Sequence, residues 1–138
     1  MIDLTIHLRF IGALLLVLAL VHIDFPRRFG WHTELKLLSL INRQMIQVHT
    51  FFIALVVGLN GLLLLFYAED LLLPSRLAGA IAGGLLIFWG LRFVFQLFVY
   101  DAKLWRGKRF ETIMHLVFTL FWTYSLTIYV LVLLRQLA

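Results

Sequence analysis

Cysteine is absent from the 138 residues, which excludes disulfides, thiolate metal ligands, iron–sulfur clusters and covalently attached c-type haem. Any bound metal must therefore be held by His, carboxylate or Tyr. Charge is scarce as well: Asp, Glu, Lys and Arg make up 14% of the chain against 63% hydrophobic residues, with a mean hydropathy of +1.00. That balance lies well outside the range of soluble globular domains. Proline occurs twice and serine only at positions 39, 75 and 125, so no stretch is linker-like and no Ser-His-Asp constellation stands out for nucleophilic hydrolysis. Gly-rich phosphate loops and the zincin pattern of two histidines flanking a Glu are also missing.

What is present is four long apolar runs. A bilayer core of about 30 Å needs roughly 20 apolar residues per helix, so four crossings nearly exhaust the chain. The expected fold class is an all-α membrane protein, a four-transmembrane-helix up-down bundle with short loops, forming a single domain over residues 1–138. The spans are expected at about 4–25, 44–68, 77–100 and 112–134. Runs this continuous suit helices, whose backbone groups are satisfied internally, and not the alternating strands of a barrel. Pro26 is expected to stop the first span. The segment 33–43 reads equally as an interfacial helix or an extension of the second span. No small-x-small cleavage pattern follows the run from Phe10 to Ile23, so the first span reads as a retained helix and not a signal peptide.

The net charge of +5 would suggest nucleic acid in a soluble chain; beside apolar spans it reads as a topology signal, and no nucleic-acid partner is expected. Arg27, Arg28, Lys36 and Arg43 lie in the loop 26–43, and Lys103, Arg106, Lys108 and Arg109 in the loop 101–111. The middle loop has Arg76 against Glu69 and Asp70. Positive loops are retained on the cytoplasmic side, so loops 26–43 and 101–111 are expected there, with both termini on the opposite side. The lipid bilayer is the first partner. Gly79 and Gly83, with Ala78, Ala80 and Ala82 around them, form a small-residue patch suited to helix packing, within the chain, in a homo-oligomer or against another membrane protein.

Polar residues inside the spans cluster by depth. His22 lies near the end of the first span, His49 near the start of the second, Gln96 and Arg92 near the end of the third, and His115 near the start of the fourth. All fall in one layer toward the basic loops. Helical phase groups Arg92, Gln96 and Tyr100 on one stripe, Glu111, His115, Thr119 and Trp122 on another, and Asn42, His49 and Asn60 on a third. Polar stripes turn inward, because a charge facing hydrocarbon costs about 2.5–3.5 kcal/mol on insertion scales.

Two inward imidazoles, His49 and His115, suit the axial positions of haem b or two ligands of a divalent metal. His22 is then a third metal ligand, and Glu111 a ligand or the acceptor that holds the His115 tautomer. Arg92, Gln96 and Tyr100 would line the cofactor site, with Arg92 as counter-charge to a haem propionate, a quinone oxygen or a lipid phosphate. The alternative is that the histidines merely hydrogen-bond across helices. The Glu111-to-His115 spacing of four, unrepeated elsewhere, does not match the di-iron motif. In architecture alone the chain resembles b-type cytochromes and haem-bearing membrane anchor subunits. Three functions follow as expectations: a redox haem or metal protein; a non-enzymatic accessory or assembly subunit of a larger membrane complex; and a proton or small-solute conductor, which the sparse polar groups of the opposite half disfavour.

Overall fold

The computed structural model describes residues 3–138. Among them every regular element is helical, and four helices are long and apolar enough to cross a membrane: Leu4–Arg28, Leu40–Phe66, Arg76–Phe98 and Arg109–Leu137. The all-α, four-span class therefore holds. The chain divides into two compact units, Thr5–Ala68 and Glu69–Ala138, each a hairpin of two spans.

In the first hairpin Pro26 does not end the helical path. The α-helix closes at Val21, a 3-10 turn follows over His22–Asp24, and a further helical turn runs through Phe25–Arg28 with Pro26 in its first turn. Proline is tolerated there because the N–H it lacks has no partner inside the helix anyway. The path ends one turn later, at Gly30, whose φ of 59° reverses the chain. Segment 33–43 divides, and only its last four residues, 40–43, extend the second span. Short turns cover Trp31–Glu34 and Leu35–Leu37; Leu38 and Ser39 are extended, and the second span starts at Leu40.

The two helices of this hairpin touch backbone to backbone. A Cβ placed on Gly12 would stand 2.8 Å from the carbonyl oxygen of Gly61 and 2.8 Å from the amide nitrogen of Leu65; one placed on Gly61 would stand 2.9 Å from the Gly12 oxygen. Around this crossing Leu8, Ile11 and Leu15 on the first span and Val57 and Leu64 on the second are buried. Without a hydrophobic driving force in lipid, close van der Waals contact of this kind is what holds helices together.

In the second hairpin, Ala78, Ala82, Leu85, Trp89 and Gln96 are buried on the third span, and Trp122, Ser125, Tyr129 and Val132 on the fourth. Spacings of three and four residues alternate, the pattern of a helix seam. At the open end of this hairpin, Gln136 in the last turn of the fourth span binds the segment that leads into the third: its Nε2 donates to the carbonyls of Leu71 (2.8 Å) and Leu73 (3.1 Å), and its Oε1 accepts from the Ser75 amide (3.1 Å). Ser75 in turn caps the third span by accepting from the Ala78 amide at 3.0 Å. Gly79 lets Gln136 in close, a Cβ there lying 3.6 Å from that of Gln136, whereas a Cβ on Gly83 or Gly84 would meet nothing within 4 Å. Of the small-residue patch, then, Gly79 packs within the chain and Gly83 does not. Large apolar side chains such as Phe10, Leu20, Phe98 and Leu120 are exposed, a surface that suits hydrocarbon contact.

Candidate functional site

Gln96 organises the end of the second hairpin nearest the loop 101–111. It is 5% exposed, and both ends of its amide are used. Nε2 donates to Thr119 Oγ1 at 3.1 Å and to the carbonyl of His115 at 3.3 Å; Oε1 accepts from Trp122 Nε1 at 2.9 Å. Thr119 Oγ1 also donates to the His115 carbonyl at 2.7 Å. The spacing of four between Arg92 and Gln96, and between His115 and Thr119, places these groups on facing stripes, so their meeting follows from helical phase once the two spans pack together.

Arg92 sits one turn deeper. Its guanidinium carbon lies 5.6 Å from the centroid of the Tyr100 ring and 6.0 Å from that of Trp122, within cation–π range of both. Trp122 is stacked in turn on Trp89, with ring centroids 4.7 Å apart and planes 17° from parallel. The rings cover the cation without satisfying it: Arg92 Nη1 is buried and has no hydrogen-bond partner. Trp89 Nε1, Ser125 Oγ and Tyr129 Oη are buried without partners too, along the same seam.

His115 is half-buried and lies face to face with Trp105, centroids 4.0 Å apart and planes 7° from parallel. The loop that delivers Trp105 is tied down by Thr112, whose hydroxyl donates to the Trp105 carbonyl at 2.7 Å and the Lys108 carbonyl at 2.8 Å. Gly107, with φ of 80°, makes the turn. Neither imidazole nitrogen of His115 has a hydrogen bond among the described residues. Glu111 stands half-buried in the first turn of the fourth span.

The other two histidines belong to the first hairpin. His49 is exposed and its Nδ1 lies 2.7 Å from the Met45 carbonyl; His22 is half-buried, with Nδ1 2.7 Å from the Leu18 carbonyl and its ring 4.4 Å from that of Phe25. Contact with a carbonyl requires the proton on Nδ1, which leaves Nε2 as the acceptor or ligand nitrogen in both. A Cβ placed on Gly58 would stand 3.5 Å from that of Ala19, and this register sets His22 level with Leu55. His49 then stands six residues, about 9 Å, nearer the loop, so these two imidazoles do not share one level. Among the described residues no three His, Asp or Glu side chains are grouped to hold a metal ion.

The structure thus brings together Arg92, Gln96, Tyr100 and His115, all expected at one site, and adds three features that sequence spacing did not single out. Trp105 covers His115; Trp89 extends the aromatic stack; and the Gly12/Gly61 crossing carries the closest helix packing. The only sequence signal for that crossing was Gly12 in the first leucine-rich span and Gly58 and Gly61 in the second. No protein family model, no curated protein and no solved structure matches the chain.

Proposed function

We propose that this integral membrane protein holds a redox cofactor, haem b or a divalent metal ion, at the 101–111 end of its second hairpin. His115 is the ligand, Arg92 the counter-charge, and Gln96 and Tyr100 form the wall. The supporting observation is two unmet polar groups on this hairpin: an imidazole, His115, with no hydrogen bond at either nitrogen among the described residues, and a buried guanidinium nitrogen, Arg92 Nη1, with no partner. In a low-dielectric layer such groups are costly unless something completes them. His49 and His22, on the first hairpin, each keep Nε2 as an available ligand nitrogen. By the count of basic residues, loops 26–43 and 101–111 are assigned to the cytoplasmic side.

The test is an absorption spectrum with elemental analysis on protein purified without added cofactor. A Soret band or stoichiometric metal, lost in His115→Ala, is the expected result. Colourless, metal-free protein of native helicity rejects the reading. A second reading, a non-enzymatic accessory or assembly subunit, is favoured by Gly83 and Gly84, which leave part of the third span open to close approach. Extraction in mild detergent then brings down a stoichiometric membrane partner that Gly83→Leu fails to retain.

A further inference from the structure

We propose that Arg92 anchors the phosphate of an anionic phospholipid, with the guanidinium N–H groups other than the buried Nη1 donating to phosphate oxygens. Its Cα lies six residues before Phe98, the last residue of the third span, or about 9 Å inside the helix end. The side chain does not stay at that depth. Its guanidinium carbon lies 5.6 Å from the ring centroid of Tyr100, a residue beyond the helix end, so the long side chain carries its charged head toward the interface.

There the head has no acidic partner: Nη1 is buried without a hydrogen bond, and Arg92 forms no ion pair among the described residues. Guanidinium stays protonated under all ordinary conditions and matches phosphate geometry. The surroundings favour a lipid over a hydrated ion. Leu91, Phe95 and Val99 flank Arg92 on its own helix and are exposed apolar groups that suit acyl chains. Lys103, Arg106, Lys108 and Arg109 follow in the adjoining loop and are exposed, adding attraction for anionic headgroups. Trp122 lies 6.0 Å from the guanidinium carbon, so occupancy of the site is reported by tryptophan emission.

The experiment is a fluorescence titration of the full chain in dodecyl maltoside micelles with dioleoylphosphatidylglycerol, with dioleoylphosphatidylcholine and inorganic phosphate as parallel arms. Phosphatidylglycerol should give a saturable change, and Arg92→Gln should weaken its apparent affinity tenfold or more. Phosphatidylcholine should bind at least fivefold more weakly, and millimolar phosphate should neither mimic nor compete. The double variant Arg27→Gln/Lys36→Gln, in the loop of the other hairpin, should stay within threefold of the parent. An unchanged affinity in Arg92→Gln, equal binding of the two lipids, competition by free phosphate, or loss confined to the loop variant each overturns the proposal. If Arg92→Gln loses its helical circular dichroism, Arg92→Lys replaces it; a drop of threefold or more supports the site and parent-like affinity rejects it. The titration is read on protein freed of haem and metal, so its failure is separate from failure of the cofactor reading.

Discussion

Gln96 is a neutral amide in an apolar span, and every one of its contacts links the third span to the fourth. Replacing it with Leu keeps the volume but leaves Trp122 Nε1 and Thr119 without their partner. Interhelical hydrogen bonds in membranes are worth about 0.6–2 kcal/mol, and a stranded buried donor costs about 1–3 kcal/mol. Gln96→Leu should therefore lower stability by about 1–3 kcal/mol, measured by steric-trap or detergent-denaturation titration. Gln96→Glu should not restore it, since a carboxylate cannot donate to Thr119. His115 gives a contrasting case. Trp105→Ala uncovers one face of the imidazole, and any spectral signature of a bound cofactor should shift or weaken while helical content stays constant. The stripe containing Arg92, Gln96 and Tyr100 was legible from residue spacing. The Trp105–His115 stack was not, because the path of a loop sets it, and a turn such as that at Gly107 places a side chain by backbone geometry that periodicity does not encode.

At the scale of elements, the close crossing of the first and second spans depends on two glycines. A methyl group on Gly61 meets backbone of the first span, the Gly12 oxygen at 2.9 Å and the Leu16 nitrogen at 3.0 Å, and backbone has no alternative rotamer to adopt. Gly61→Ala should destabilise the hairpin by about 1–3 kcal/mol, the usual cost of overpacking. Gly83→Ala should be neutral or slightly stabilising, within about 1 kcal/mol, since the methyl enters open space and alanine favours helix. Equal effects of the two substitutions in the same denaturation assay would count against the crossing. Gln136 supports the opposite end of the second hairpin. Gln136→Ala should speed proteolysis between residues 69 and 75, where three backbone groups lose their partner. Span number and approximate limits could be read from hydropathy alone. Helix ends moved by up to four residues because terminal turns carry polar residues, such as Asn42 and Arg43, that a search for apolar stretches excludes.

For the whole molecule, exposed apolar surface and the separation of basic from acidic loops argue for a multi-pass membrane protein. Because the chain has no cysteine, single-cysteine labelling is clean. Lys103→Cys should be protected from a membrane-impermeant maleimide in intact cells and react only after permeabilisation, whereas Asp70→Cys should react from outside. The opposite pattern would reverse the orientation assigned from the basic loops.

Length and composition determined by themselves that the protein is helical, membrane-spanning and four-pass, because the thickness of hydrocarbon and the cost of unpaired backbone leave few other solutions. They also determined which polar residues share a helical face, since the helical repeat is constant. Tertiary structure alone decided which glycines touch, which ring covers His115 and which polar atoms are left without a partner. The physical reason is that spacing specifies depth and face along one helix, while contact depends on the rotation and register of that helix against its neighbour.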